Sequence, residues 1–161
     1  MPACLLLIVV IVLSGAPLIP PSLVVVSEGR VLFEQVIGPT ECEVDFRHSV
    51  NKGLIREVYR IDPDHRRITL ERSYNQSFGA GMLDTVPDTE GLNFHQEGDY
   101  YRMDFPVNWQ SEIRYIGGSI AGHTFVYDGK TLDLGAKHPR KAFIISVERR
   151  SLLGRLLHTV H

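Results

Sequence analysis

The chain has 161 residues, of which 43% are apolar and 22% charged, so one domain with a substantial core is expected and wholesale disorder is excluded. The net charge of −2, without a basic stripe interleaved with aromatic residues, argues against nucleic-acid binding. Two cysteines, Cys4 and Cys42, show no C-x-x-C spacing, so neither a zinc ribbon nor a dithiol redox motif is predicted.

The first 22 residues are interpreted as a signal peptide or a membrane anchor. No charged side chain occurs before Glu28, and residues 4–13 form an unbroken apolar run. This run has the length of a signal-peptide core and is short for a membrane span. Residues 14–16 resemble a cleavage region, but Pro17 follows them, so we favour an uncleaved apolar helix over a cleaved signal, and both over a buried core helix. We therefore expect a membrane-anchored or secreted protein that faces the extracytoplasmic side.

Residues 23–150 have the pattern of a single all-β domain. Short alternating apolar runs are separated by turn residues, at the spacing of an antiparallel β-sandwich or a small barrel. Hairpin turns are predicted at Glu28 with Gly29, near Gly98, and at Asp128 with Gly129. The last pair is a strong signal for a type I′ turn. The apolar run AFIISVE predicts a late buried strand.

The C-terminal part of the chain is basic. Residues 137–161 contain six Lys and Arg and a single acidic residue, Glu148. Such a tail is a candidate for contact with an acidic membrane or protein surface, the alternative being a solvated terminus. Its last part, residues 151–161, includes the run SLLGRLLH, which allows a short helix that Gly154 weakens.

The stretch DFRHSVNKGLIREVY sets a histidine beside a serine, with a glutamate nine residues after the histidine. If residues 42–50 form a strand, alternate residues share one apolar face that we expect to be buried. These residues are Cys42, Val44, Phe46, His48 and Val50. Ser49 then points to the opposite face. A serine nucleophile beside its own base is therefore excluded, because the two side chains would not reach each other.

The next predicted strand, residues 54–61, pairs with the first one in a hairpin. Matching the apolar faces favours a register with a tight turn at Lys52 and Gly53. The opposed pairs in this register are Val50 with Ile55, His48 with Glu57, and Asp45 with Arg60. A competing register, shifted by one residue, would set His48 against Arg56.

The predicted His48–Glu57 pair has two interpretations. It is a satisfied polar pair that locks the strand register in the core, or it lines a small ligand site in the mouth of the sandwich or barrel. Either group alone would be costly to bury. Both interpretations require the two side chains to lie within hydrogen-bond reach across the hairpin.

A third strand, residues 66–78, extends the candidate site. With a four-residue turn at residues 62–65, Leu70 opposes Glu57 and Arg72 joins the same inner face. Arg72 is therefore a candidate binding residue.

The third strand runs into Gly79, Ala80 and Gly81. Glycines at these positions indicate positive φ or a close approach of the backbone. A turn with exposed amides can bind an anion, and the alternative is a plain loop. No cofactor and no metal site is predicted, because the acids of the following loop, residues 84–91, lack the EF-hand spacing.

These stretches resemble the bacterial and archaeal domain-of-unknown-function family 1850. The resemblance covers residues 23–148 and depends on HSV, the glutamate nine residues after its histidine, and GAGM, together with the N-terminal apolar segment. The matching positions are His48, Ser49, Val50, Glu57, Gly79, Ala80 and Gly81. Asn51 stands where an acidic residue often follows HSV in the family.

The resemblance implies an exported or anchored accessory factor of solute uptake. Family members are typically encoded beside fused permeases of the TAXI type of TRAP transporter, which work with an extracytoplasmic solute-binding protein. We expect a non-enzymatic accessory or binding protein whose partner is the permease or the solute-binding protein, with membrane contact through the N-terminal segment. The alternative is a small hydrolase or lyase with His48 as general base, oriented by Glu57, and the amides of residues 79–81 as electrophilic stabilisers.

Overall fold

The computed structural model describes residues 20–50, 52–76, 91–117, 121–137 and 139–150. Three predictions fall wholly or mainly outside this range: the N-terminal apolar segment at residues 1–22, of which residues 1–19 are not described, the run Gly79, Ala80 and Gly81, and the tail at residues 151–161. Within the described ranges, no helix is long and apolar enough to cross a membrane.

The described residues form antiparallel strands and one short helical turn. In chain order the elements are β1 (Ser22–Ser27), β2 (Arg30–Val36), β3 (Glu41–Arg47), β4 (Leu54–Asp62), β5 (Arg67–Asn75), β6 (Asn93–Glu97), β7 (Tyr100–Asp104), β8 (Glu112–Ile116), β9 (Thr124–Tyr127), β10 (Lys130–Asp133), α1 (Leu134–Lys137) and β11 (Ala142–Glu148). The strands make a four-stranded sheet in the order β2-β1-β11-β8 and a seven-stranded sheet in the order β10-β9-β3-β4-β5-β7-β6. The prediction of an all-β antiparallel body is confirmed.

The two sheets share one apolar core, as in a β-sandwich. Alternate residues of the central strands point into this core, because successive side chains of a strand project to opposite faces. Core residues from the two sheets that are at most 1% exposed include Leu23, Val25, Phe143 and Ile145 on one side and Cys42, Val44, Phe125 and Tyr127 on the other. The predicted inner face of β3 is thus confirmed for its first two members.

The predicted hairpin turns are present. Glu28 and Gly29 have φ of 50° and 76°, and Asp128 and Gly129 have φ of 50° and 73°. Positive φ at both central residues defines the type I′ turn, whose twist matches the flanking strands. Gly98, with φ of 61°, turns the chain from β6 to β7.

The beginning and the end of the described chain lie at one end of the sandwich, which we call the near end. Ser22 at the start of β1 pairs with Glu148 at the end of β11 and with Val36 at the end of β2. The Ile37 amide donates to the Pro21 carbonyl at 3.0 Å, so the chain passes from β2 toward β3 at this same end. The loop from β3 to β4 therefore lies at the opposite end, called the far end.

The register of β3 with β4 differs from the prediction. Val44 lies opposite Glu57, so the predicted register with His48 opposite Glu57 is wrong, and so is the competing one. The strands separate earlier than expected: Val50, assigned to the core face, is 62% exposed, and the His48 amide donates to the Gly53 carbonyl at 2.9 Å to close a wider loop. The shift is four residues along the strand, an even number, so the paired residues of β3 and β4 keep their predicted faces.

The third strand departs from the prediction at a β-bulge. The turn between β4 and β5 comprises residues 63–66, one residue later than expected. The pairing then shifts between Val58 and Tyr59, which leaves Glu71 as the extra residue and sets Arg72 opposite Val58. The bulge reverses the faces beyond it, so the predicted position of Arg72 on the inner face is wrong and its side chain lies on the outer face.

Candidate functional site

The HSV motif lies in the far-end loop between β3 and β4, here called the His48 loop (described residues 48–50 and 52–53). His48 is half-buried, and its Nδ1 accepts a hydrogen bond from the Val50 amide at 3.3 Å. Ser49 is exposed, and its carbonyl accepts from the Lys52 ammonium at 2.6 Å. The motif therefore forms a short polar loop at the surface and not the inward end of a strand.

The hairpin does not bring His48 and Glu57 together. The His48 amide pairs with Gly53, which precedes Glu57 by four positions, or roughly 13 Å along a strand. Gly79, Ala80 and Gly81 lie outside the described residues. Direct orientation of His48 by Glu57, which the hydrolase alternative required, is therefore not found among the described residues.

Glu57 instead joins the two sheets through tyrosines. Its Oε2 accepts a hydrogen bond from the Tyr59 hydroxyl at 2.8 Å and a short one from the Tyr115 hydroxyl, and the two hydroxyl oxygens are 2.5 Å apart. Burial, and next the negative charge of Glu57, raise the pKa of both tyrosines well above the usual range. Both phenols therefore stay protonated and act as donors, not as bases or nucleophiles.

An aromatic wall adjoins these three residues. The ring of His123 stacks on Phe46 with centroids 4.9 Å apart and lies 5.5 Å from the ring of Tyr115. His123 is 7% exposed, and burial lowers its pKa, so the imidazole is neutral near pH 7. Its Nδ1 has no hydrogen-bond partner among the described residues. We call Phe46, Glu57, Tyr59, Tyr115 and His123 the inner cluster.

The backbone of His123 is fixed by the helical turn α1. Its carbonyl accepts hydrogen bonds from the amides of Leu134 at 2.8 Å and Gly135 at 3.1 Å. This approach requires glycine at position 135, because a Cβ there would lie 2.8 Å from the Cα of Gly122. The close backbone contact thus holds the His123 ring against Phe46.

The inner cluster is suited to holding the sheets together. It contains a carboxylate, two neutral phenols and a neutral imidazole, and none of these is an activated nucleophile. Across the described ranges, no group of three His, Cys, Asp or Glu side chains is arranged to hold a metal ion. Cys42, the buried thiol nearby in the core, has a pKa raised by burial and is chemically inert as a thiolate source.

A second candidate site is a concavity on the outer face of the seven-stranded sheet, here called the outer groove. Its volume is about 390 Å³ and its lining residues are Glu43, Leu54, Arg56, Val58, Arg72, Tyr74 and Tyr100. A neighbouring concavity of about 630 Å³ toward β9 and β10 shares Glu43, Leu54 and Arg56. The two are therefore parts of one trough across the sheet. The predicted binding residue Arg72 belongs to this trough.

The arginines of the outer groove are already paired. Arg56 donates from Nε and Nη2 to the two carboxylate oxygens of Asp45, each at 2.8 Å, and lies 3.3 Å from Glu43. The predicted pairing of Asp45 with Arg60 is wrong, a consequence of the register shift. Arg72 contacts Glu41 at 2.7 Å and Glu71 at 3.1 Å.

The sequence pointed to Glu57 but not to its partners. Tyr59 was recoverable, because it lies two residues after Glu57 and shares its face. Tyr115 belongs to β8 of the other sheet, and its contact depends on how the sheets pack, which no periodicity reports. His123 was one of several scattered histidines. The outer groove depends on the bulge in β5, which carries no sequence signal.

Comparison with known proteins identifies one relationship. A family model described as "Domain of unknown function (DUF1850)" matches residues 42–134. These residues run from β3 to the start of α1 and include the His48 loop, the inner cluster and the outer groove. Searches of curated proteins and of solved structures give no match. The match covers more than half of the chain, and the chain belongs to the DUF1850 family.

Proposed function

We propose that this chain is a non-enzymatic accessory or binding protein of a TRAP-type solute uptake system of the TAXI kind, on the extracytoplasmic side of the membrane. Membership in DUF1850 supports this proposal, because the resemblance implies an accessory factor of solute uptake. The apolar run at residues 4–13, within the predicted signal or anchor segment, also supports it. The partner is the permease or its solute-binding protein.

One structural observation carries the proposal: β1 and β11 lie side by side, with the start of β1 and the end of β11 both at the near end. The apolar run ends at residue 13 and β1 begins at Ser22, so residues 14–21 link them. A linker of that length spans less than about 30 Å even when extended. An anchored chain would therefore keep its near end close to the membrane surface.

Basic residues at the near end suit this orientation. Arg149 is exposed directly after β11, while Arg150 pairs with Glu34 at 3.3 Å. Residues 151–161 add one further arginine, Arg155, and no acidic residue. Anionic lipid headgroups attract juxtamembrane cations by about 1 kcal/mol for each residue close to the surface. The arginines that follow β11 would therefore be attracted to an anionic membrane surface.

The far end would then be available to a protein partner. β4 has nine residues and spans about 30 Å, so the His48 loop would stand that far from the membrane side. We propose His48 and Ser49 as partner contacts in this loop, together with Gly79, Ala80 and Gly81 of the same family motif set. Glu57 is proposed as the core lock between the sheets.

The experiment compares a surface change at each end. Ser49→Arg places an arginine in the exposed His48 loop. Asp64→Arg, the matched control, places the same side chain in an exposed turn at the near end. The full chain is tagged, its co-purification with a TAXI-type permease and with the solute-binding protein of that permease is measured, and solute uptake is recorded. We expect Ser49→Arg to reduce both co-purification and uptake and Asp64→Arg to leave them unchanged. Normal uptake in cells that lack the protein would contradict the proposal.

A further inference from the structure

The outer groove has an apolar floor that a solvated sheet face does not need. Val58 points outward from β4, yet it is only 3% exposed. Leu54, Tyr74 and Tyr100 line the groove around it, and Tyr100 is 36% exposed. Two tyrosines around an apolar floor provide ring surfaces and hydroxyls in one concavity, which is the usual make-up of a small-molecule site.

The arginines that line the groove are paired before any ligand arrives. The guanidiniums of Arg56 and Arg72 contact two carboxylates each. An anionic ligand would have to displace a carboxylate from its arginine, and it would meet more carboxylates than guanidiniums around the groove. This exchange loses a charge-assisted hydrogen bond for each one gained. An anionic ligand is therefore disfavoured.

A neutral ligand with many hydroxyls avoids this exchange. A hydroxyl both donates and accepts, so it can bridge the members of an existing ion pair, accepting from Arg56 and donating to Asp45 or Glu43. The C–H face of a sugar ring is apolar and packs on a tyrosine ring, while its edge carries the hydroxyls. The groove thus offers tyrosine rings for the C–H face of a sugar and an ion pair for the hydroxyls at its edge.

The dimensions fit this class of ligand. A volume of about 390 Å³ lies in the range of roughly 300–1,000 Å³ of small-molecule sites. The adjoining concavity of about 630 Å³ continues past Glu43 and Arg56. A ligand of more than one ring could therefore lie along the trough.

We propose that the outer groove is a binding site for a neutral saccharide, with Tyr74 and Tyr100 as ring platforms and the Arg56–Asp45 pair as the hydroxyl clamp. The site is on the outer face, apart from the inner cluster, and it does not depend on the transport role proposed above.

The test uses the full chain in a zwitterionic detergent, since a detergent with a sugar headgroup would occupy the site. Maltotriose, cellotriose and N,N′,N″-triacetylchitotriose are the probes, and binding is measured by saturation-transfer NMR and titration calorimetry. We expect at least one trisaccharide to bind, and Tyr100→Ala to weaken it by about tenfold or more. Tyr74→Ala is the second variant. Ile116→Ala, at a 74% exposed residue of the other sheet, is the control and should bind normally.

Melting curves establish that each variant is folded. The proposal is overturned if none of the three trisaccharides binds at concentrations up to about 1 mM. It is also overturned if both tyrosine variants bind as well as the unchanged chain, or if succinate or spermidine binds the groove in preference to the sugars. The binding assay contains no transport partner. A failure of saccharide binding is therefore distinguishable from a failure of the proposed role in uptake.

Discussion

Tyr115 of the four-stranded sheet donates a hydrogen bond to the carboxylate of Glu57 in the seven-stranded sheet. This contact crosses the sandwich, and Tyr59 reinforces it with a second hydrogen bond to the same carboxylate oxygen at 2.8 Å. A half-buried charge is stable there only because both donors reach it. The two hydrogen bonds to Glu57 therefore fix the position of one sheet over the other at the edge of the apolar core.

Replacing Tyr115 by phenylalanine should destabilise the fold. The ring packing against Phe46 remains, but Glu57 loses one donor, so we expect the free energy of unfolding to fall by about 1–3 kcal/mol. Urea denaturation followed by circular dichroism measures this. Tyr100→Phe, at an exposed position, is the control and should change stability by less than about 0.5 kcal/mol. Equal stability of the two variants would mean that the contact across the sheets contributes nothing.

The register of β3 with β4 can be tested by double-mutant cycles. Asp45 and Arg56 form a bidentate pair with the arginine side chain 44% exposed, so a coupling energy of about 0.5–1 kcal/mol is expected. The cycle for Asp45 with Arg60 should give a coupling near zero, because these residues are not opposed. The reverse result, with coupling to Arg60 alone, would restore the register that the sequence pattern favoured.

Burial of His123 predicts a loss of stability on acidification. Its folded-state pKa lies below the ordinary value of 6.5, so the unfolded chain takes up a proton more readily. Stability should therefore decrease as pH falls through about 6.5 toward the folded-state pKa. Urea midpoints between pH 5 and pH 8 for the unchanged chain and for His123→Phe provide the comparison. The variant should show a shallower pH dependence, and an identical slope would rule out His123 as the source.

The close contact between α1 and Gly122, in the segment that precedes β9, predicts that Gly135 cannot be replaced without loss of stability. Gly135→Ala would bring a Cβ to 2.8 Å from the Cα of Gly122, so the helical turn must move and the free energy of unfolding should fall by about 1–3 kcal/mol. Gly38→Ala is a matched control, because a Cβ there meets nothing within 4 Å. Thermal melts of both variants measure the difference. A Gly135→Ala protein as stable as the Gly38→Ala protein would contradict the contact.

The side-chain faces of β3 and β4 were predictable from the sequence, whereas their pairing was not. Alternation along residues 42–46 correctly assigned Cys42 and Val44 to the core. The partner of Glu57, however, depends on where the hairpin loop closes, and Val50 was counted as core because it is apolar. A loop that exposes one valine costs little, and it lets Asp45 meet Arg56. Periodicity therefore cannot choose between registers that keep the same faces.

The contacts between the two sheets could not be predicted from the sequence. Tyr115 follows Glu57 by 58 positions and belongs to another sheet, so its partner is set by packing. Arg72 changed face because Glu71 occupies a bulge, and a bulge adds one residue without any change in composition. The turns at Glu28 and Asp128, by contrast, are local, and local chemistry predicted both of them, the second as a type I′ turn.

The pairing of the first strand with the last one has a consequence for biogenesis. β1 is flanked by β2, which follows it directly, and by β11, where Val25 meets Ile145. The four-stranded sheet cannot be completed until almost the whole domain has been synthesised, and such long-range pairing is slow to form. A chain with this order of strands stays incompletely folded throughout its synthesis. Because β11 lies between β1 and β8, its docking completes the four-stranded sheet and closes the sandwich in a single late step.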